Sequence, residues 1–145
     1  KTNALDEIFQ SAKINFNIVN GRINFDKTKL INKKIGFLEL DNSNLFFANS
    51  KLILNTNVIV NISSSDELFS LIQTNKKFRK PIKDILINLD YDFSTSQIRF
   101  NNVKIDNKEA NSEILRIIED FNDNKLYNWN KTKRLLNELF KSYEG

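Results

Sequence analysis

For its first 105 positions the chain mostly alternates apolar and polar residues, and then it changes to a helical period. In the run Lys83 to Phe93, Ile85, Ile87, Leu89, Tyr91 and Phe93 fall on one side while Asn88, Asp90 and Asp92 fall on the other. Side chains alternate across a strand, so this pattern predicts a half-buried strand with one wet face. Leu52 to Ile62 repeats it: Leu52, Leu54, Thr56, Val58, Val60 and Ile62 share a face, opposite Asn55, Asn57 and Asn61. Ile14–Ile18 and Arg22–Asp26 flank Asn20-Gly21, a dipeptide that accepts the positive φ values of a type I′ turn and so predicts a hairpin. Further strands are expected at Lys29–Ile31, Ile35–Leu40 and Leu45–Ala48, with turns at Lys33-Lys34, Asp41–Asn44 and Asn49-Ser50. Gly36 interrupts its strand and marks a bulge or a close backbone approach. Ile98 and Phe100 share one parity and Val103 and Ile105 the other, so a β-bulge is predicted at Asn101-Asn102.

Helical signals are fewer. Asn3 can cap a short helix over Ala4–Ala12, with Leu5, Ile8, Phe9 and Ala12 on one side. Ser64-Ser-Asp-Glu67 fits a capping box and opens an inserted helix with Leu68, Leu71 and Ile72 as its apolar stripe. From Lys108 onward, Ala110, Ile114, Ile117, Ile118 and Phe121 recur at the helical period. After a polar break at Asp120–Lys125, Trp129, Leu135, Leu136, Leu139, Phe140 and Tyr143 line a second stripe. The expected fold is mainly β with α (α+β): an antiparallel sheet of about six to eight strands, one inserted helix and a C-terminal helical pair. It forms a single domain over 1–145, with a β-rich part at 1–105 and helices at 106–145.

Composition narrows the chemistry. At 145 residues the chain can bury a core without staples. It has no Cys, which excludes disulfides, zinc–thiolate sites and a cysteine nucleophile, and no His, which removes the usual general base near neutral pH. Its 3 glycines are isolated, so no glycine loop cradles a phosphate. These absences predict a protein that is not an enzyme and needs no cofactor. A net charge of +4, from 22 basic and 18 acidic residues, suits an anionic partner but falls short of a nucleic-acid-binding stripe, so no nucleic acid is expected. No apolar run approaches the roughly 18–20 residues of a membrane span. The chain opens on Lys1 and holds no Met, which points to a processed chain or, in preference, to a piece of a longer protein; its wealth of Asn, Lys and Ile suggests an AT-rich genome.

Two clusters carry candidate chemistry. Asp90 and Asp92 stand two apart on one strand face, a spacing that suits a divalent cation or an acid–base pair, and equally the polar half of an alternating strand. Lys76, Lys77, Arg79, Lys80 and Lys83 surround Phe78 in the densest charge of the chain. Such a cluster suits anionic headgroups, and without a second aromatic platform it suits nucleic acid less; it also fits a solvated connector.

The segments Gly21–Leu30, Ile35–Asn42, Leu68–Gln73 with Lys76–Lys80, and Asn128–Asn137 through Tyr143-Glu-Gly145 together resemble the C-terminal region of the AsmA-like family of bacterial envelope proteins. The resemblance covers most of the chain as a pattern of short strands, not as a sharp motif. It implies a curved sheet with an apolar inner face. It also implies a periplasmic location, tethered to the inner membrane through missing parent segments, and a role in outer-membrane biogenesis or phospholipid transport with phospholipid or an envelope protein as partner. The chain departs from that pattern in that a core beneath the C-terminal helices would account for its apolar faces, making it an end module instead of a conduit. The alternative is a structural or protein-interaction domain with no ligand. The two readings divide on whether Ile85, Ile87, Leu89, Val58 and Val60 are covered.

Overall fold

A computed structural model describes residues 8–122, 124–125 and 128–145. Ten strands form one antiparallel sheet. They are β1 (Ser11–Lys13), β2 (Asn17–Val19), β3 (Arg22–Asn24), β4 (Lys29–Asn32), β5 (Gly36–Ala48), β6 (Lys51–Ile62), β7 (Asp84–Asp92), β8 (Gln97–Ile105), β9 (Lys108–Glu109) and β10 (Asn124–Lys125). The helices are α1 (Ser65–Leu71), inserted between β6 and β7, and the C-terminal pair α2 (Ser112–Phe121) and α3 (Trp129–Ser142). This is the expected α+β class, and the two strands beyond the expected number are the two-residue β9 and β10. The sheet order is β1-β4-β5-β6-β7-β8-β10, with the β2–β3 hairpin joined to β5 through β3 and β9 joined to β8.

Several local signals act as the sequence predicts. Asn20 and Gly21 both take positive φ, 51° and 73°, and close the β2–β3 hairpin. Gly36 sits at φ 141° with the Asn61 backbone so near that a Cβ would lie 2.0 Å from its carbonyl oxygen. The bulge in β8 is present: Asn88 faces Asn102 and Leu89 faces Phe100, which leaves Asn101 unpaired and returns Val103 and Ile105 to the face of Ile98.

Other expectations are corrected. Asp41–Asn44 is no turn. β5 runs straight through it, and the two residues between Asp41 and Asn44 form a second bulge, with Asn42 at φ 50°. Turn-forming residues supply the left-handed backbone a bulge needs, so composition alone does not tell the two apart. The bulge has a tie of its own, because Ser43 donates through N–H and hydroxyl to Asp26 at 2.7 and 2.5 Å while its oxygen accepts from Phe25 N–H. The helix expected over Ala4–Ala12 gives way at Ser11 to β1, paired with β4; residues 1–7 lie outside the described residues. The first C-terminal helical stripe, expected from Lys108, begins at Ser112, after β9, because Asn111 caps it by accepting from Ile114 N–H. Of the capping box, Ser64 keeps its half by accepting from Glu67 N–H, while its own N–H goes to the Ile35 carbonyl.

Cross-strand partners share a face, so register shows how far the apolar face extends. One row runs Ile18–Ile23–Leu45–Leu54–Tyr91–Ile98, and another runs Leu30–Leu38–Val60–Ile85–Ile105. The helices close this face over β7 and β8. Ile114, Ile117, Ile118 and Phe121 of α2 and Leu135, Leu139 and Phe140 of α3 form a buried core with Ile85, Ile98, Val103 and Ile105. Phe69 of α1 meets Phe140 edge-on at 5.4 Å, and Phe100 stacks on Phe121 at the same separation. Trp129 is half-buried at the margin of this core. The opposite sheet face is wet and carries an amide ladder. Asn88 donates to Asn57, Asn55 donates to Asp90, and Asn101 donates to both Asn88 and Asp90.

Candidate functional site

The basic connector is built by two caps. Asn75 accepts from Lys77 N–H and starts a single 3-10 turn over Lys76–Phe78. The chain then extends through Arg79 and Lys80 into β7. Of the five cations predicted to act together, the structure separates two. Arg79 is half-buried and donates through Nε to the Thr74 carbonyl at 3.0 Å. Lys80 is half-buried and donates to the Tyr143 carbonyl at 2.6 Å, which ties the connector to the end of α3. Lys76, Lys77 and Lys83 remain exposed. Lys77 lies 4.8 Å from the Phe78 ring centroid, and Lys141 from α3 approaches the same ring at 5.7 Å. The sequence reading missed Lys141, since its contact spans some sixty residues and no local pattern encodes it.

Beside the connector a clasp holds β7 to the β8–β9 turn and to the chain end. The Asp106 carboxylate accepts from the N–H groups of Lys83 and Asp84 at 2.7 and 3.1 Å and from the Tyr143 hydroxyl at 3.1 Å. Partial burial pushes the Asp106 carboxyl up, but those three donors and the Lys83 charge outweigh it and hold it below its ordinary value. The Tyr143 hydroxyl is pushed up by burial first and by the neighbouring Asp106 next.

Asp90 and Asp92 are held by separate sets of partners. Asp90 is taken by Asn55 and Asn101. Asp92 pairs with Lys51 at 3.2 Å and accepts from the N–H groups of Ser94 and Thr95, closing the β7–β8 turn. Among the described residues no group of three or more acidic side chains could hold a metal ion. A cleft of about 570 Å³ lies between α2 and α3, where Arg116 pairs with Glu113 and Asp120 and Arg134 with Glu138, while Lys131 and Lys141 also line it. It offers no field of one sign.

The apolar face gives the clearest surface. Ile85 and Val58 are buried, and Val60, Ile87 and Leu89 are half-buried against the core, so the face is closed where the two readings divide, and that part of it favours the interaction domain without a ligand. Toward the β5–β6 and β7–β8 turns it is open. Phe47 is 77% exposed, Ile18 65% and Phe93 47%, with Phe93 edge-on to Tyr91 at 5.0 Å. Phe47 pairs with Leu52, and the Leu52 carbonyl accepts from Phe93 N–H, so these rings border one edge of the same face. The connector meets β7 at its other end, about 30 Å away at 3.3 Å per residue. None of the described helices is long and apolar enough to cross a membrane. No protein-family model, no curated protein and no solved structure matches the chain.

Proposed function

We propose that this chain is a non-enzymatic module of the bacterial cell envelope, similar in role to the AsmA-like proteins it resembles, that contacts phospholipid at the open end of its apolar sheet face. One observation carries the reading: a single apolar face spans the sheet, while it is closed over β7, β8 and the Val58–Ile62 end of β6 and open toward the β5–β6 turn. Fully burying a side chain such as Phe47 is worth about 1.5–3 kcal/mol over leaving it in water, so a run of exposed apolar residues favours a covered state. Acyl chains supply that cover without directional bonds, and the open end offers rings and branched carbons in place of hydrogen-bonding groups. The closed part makes the chain an end module, where a lipid path stops. The exposed cations Lys76, Lys77, Lys83 and Lys141 stand too far from the open end to share one lipid with it, and form a separate contact with an anionic surface. A periplasmic location, with a tether through a longer parent chain, belongs to the same proposal.

Native mass spectrometry with parallel lipid extraction, after expression in bacteria, tests it. Phospholipid should co-purify at a fixed ratio, and the double variant F47D/F93D should lose it while keeping the wild-type melting temperature. A lipid-free mass would overturn the proposal. The closure of the face over β7 and β8 would then favour the second reading, a protein-interaction domain without a ligand.

A further inference from the structure

The outer strands of this sheet are not equally protected. Charged residues near an unpaired edge discourage pairing with another chain, and β1 contains Lys13 and β9 is Lys108-Glu109. β2 has no such guard. The segment Ile14–Val19 has no charge and no proline, and Ile14, Phe16, Ile18 and Val19 are 77%, 53%, 65% and 53% exposed. Among the described residues β2 pairs on one side only, with β3.

The hairpin sets which backbone groups are free. With Asn20-Gly21 as a two-residue turn, Val19 and Arg22 flank it as a hydrogen-bonded pair, and so do Asn17 and Asn24 two residues on. Ile18 and Ile23 are then a non-bonded pair, and the N–H and carbonyl of Ile18 point away from the sheet. Phe16 has the same parity. Asn15, of the opposite parity, agrees: its N–H donates inward to the Thr28 hydroxyl, and its carbonyl accepts from that hydroxyl. The free edge therefore offers two donor–acceptor sets, at Phe16 and Ile18, bracketing Asn17.

We propose that this edge pairs antiparallel with the β2 strand of a second copy of the chain, about a two-fold axis at Asn17. An axis at Asn17 sets Phe16 opposite Ile18 of the other copy and Ile18 opposite Phe16, so each free set meets a free set. An axis at Ile18 sets Ile18 opposite itself and leaves Phe16 facing Asn20 in the turn, and an axis at Phe16 sets Ile18 opposite Ile14, which directly follows β1 and lies outside β2. Cross-strand partners share a face, so this register also packs Phe16 on Ile18 and joins the two apolar faces into one. The uncharged segment brings no like charges together.

Sedimentation and amide hydrogen exchange across a concentration series test this on the full chain. The wild type should sediment at twice its 17.0 kDa mass at high concentration, and the Phe16 and Ile18 amides should slow in exchange as the dimer forms. The variants F16K and I18K change exposed side chains and should stay folded but monomeric, while F47D should stay dimeric. Three results would each overturn the proposal: a wild-type monomer at up to about 1 mM, a dimer that persists in I18K, or a dimer whose Phe16 and Ile18 amides exchange as fast as in the monomer. Loss of the dimer in F47D would place the contact on the open sheet face instead, and overturn it too. Lipid capture and dimer formation are read separately, so either proposal can fail alone.

Discussion

Gly36 and Gly21 both sit at positive φ, 141° and 73°, and replacing each by alanine should have very different consequences. At Gly21 a Cβ would meet nothing within 4 Å, so G21A carries backbone strain alone. Left-handed backbone costs a non-glycine residue about 1–2 kcal/mol. At Gly36 the same atom would lie 2.0 Å from the Asn61 carbonyl oxygen and 3.0 Å from its carbon. Those atoms are backbone within the β5–β6 ladder, where Gly36 faces Ile62 and Phe37 faces Asn61, so they cannot rotate aside. The ladder must part at its end, which adds an overpacking cost of about 1–3 kcal/mol to a strain of about 1–3 kcal/mol for a glycine-only backbone region. G36A should therefore destabilise the chain by about 3–5 kcal/mol and G21A by about 1 kcal/mol. For a domain of this size that is a fall in Tm of roughly 10–20 °C for G36A and a few degrees for G21A. Thermal melts followed by circular dichroism, paired with urea titrations to check that the m-value is unchanged, read both. Equal shifts in the two variants would refute the close-approach reasoning and leave φ alone as the cause.

Two further predictions concern the clasp and the connector. The Asp106 carboxyl is held below its ordinary value of 3.8, so its contribution is present above that value and is lost as pH falls through the lowered folded value; D106N should cost about 1 kcal/mol at pH 7 and progressively less as pH falls below 3.8 by urea titration, and a cost that does not change with pH would refute the charged clasp. Replacing Lys76, Lys77 and Lys141 together by Glu should abolish binding to anionic liposomes with Tm unchanged, whereas K80E should lower Tm through its lost tie to the Tyr143 carbonyl; liposome binding that survives the threefold change would remove the connector as a contact surface.

Local geometry was legible in the sequence wherever one residue type has one physical use. Asn20-Gly21 closes a hairpin because both residues tolerate positive φ, and the parity break at Asn101 is a bulge because nothing else returns Val103 to the apolar face. Where one residue type serves two backbone shapes, the reading went astray: Asp41–Asn44 has turn composition and forms a bulge inside a thirteen-residue strand. The helical period runs back to Lys108 in the sequence, four residues before the helix starts, because Ala110 fits it, although Asn111 is the cap. The candidate site was less legible, for a different reason. Whether Arg79 and Lys80 face solvent depends on Thr74 and on Tyr143, and Lys141 joins Phe78 from a helix at the far end of the chain. Charge density along a sequence measures none of these distances. The extent of the apolar face was visible in the alternation; which part the helices close depends on how far α2 and α3 reach, and periodicity does not carry that.

Asparagine does work in this fold that glycine does in others. Asn20, Asn42, Asn49 and Asn107 hold left-handed backbone, and Asn75, Asn111 and Asn128 each start a helical turn. A chain with 3 glycines can therefore make this many tight reversals. Glycine at those reversals would leave the denatured ensemble freer, with more conformational entropy to surrender on folding. Asparagine restricts the disordered chain while still accepting positive φ, so part of the stability of the sheet resides in states that are not folded at all. A compositional drift toward asparagine, neutral at the level of codons, would in this architecture narrow the entropy gap that folding must cross.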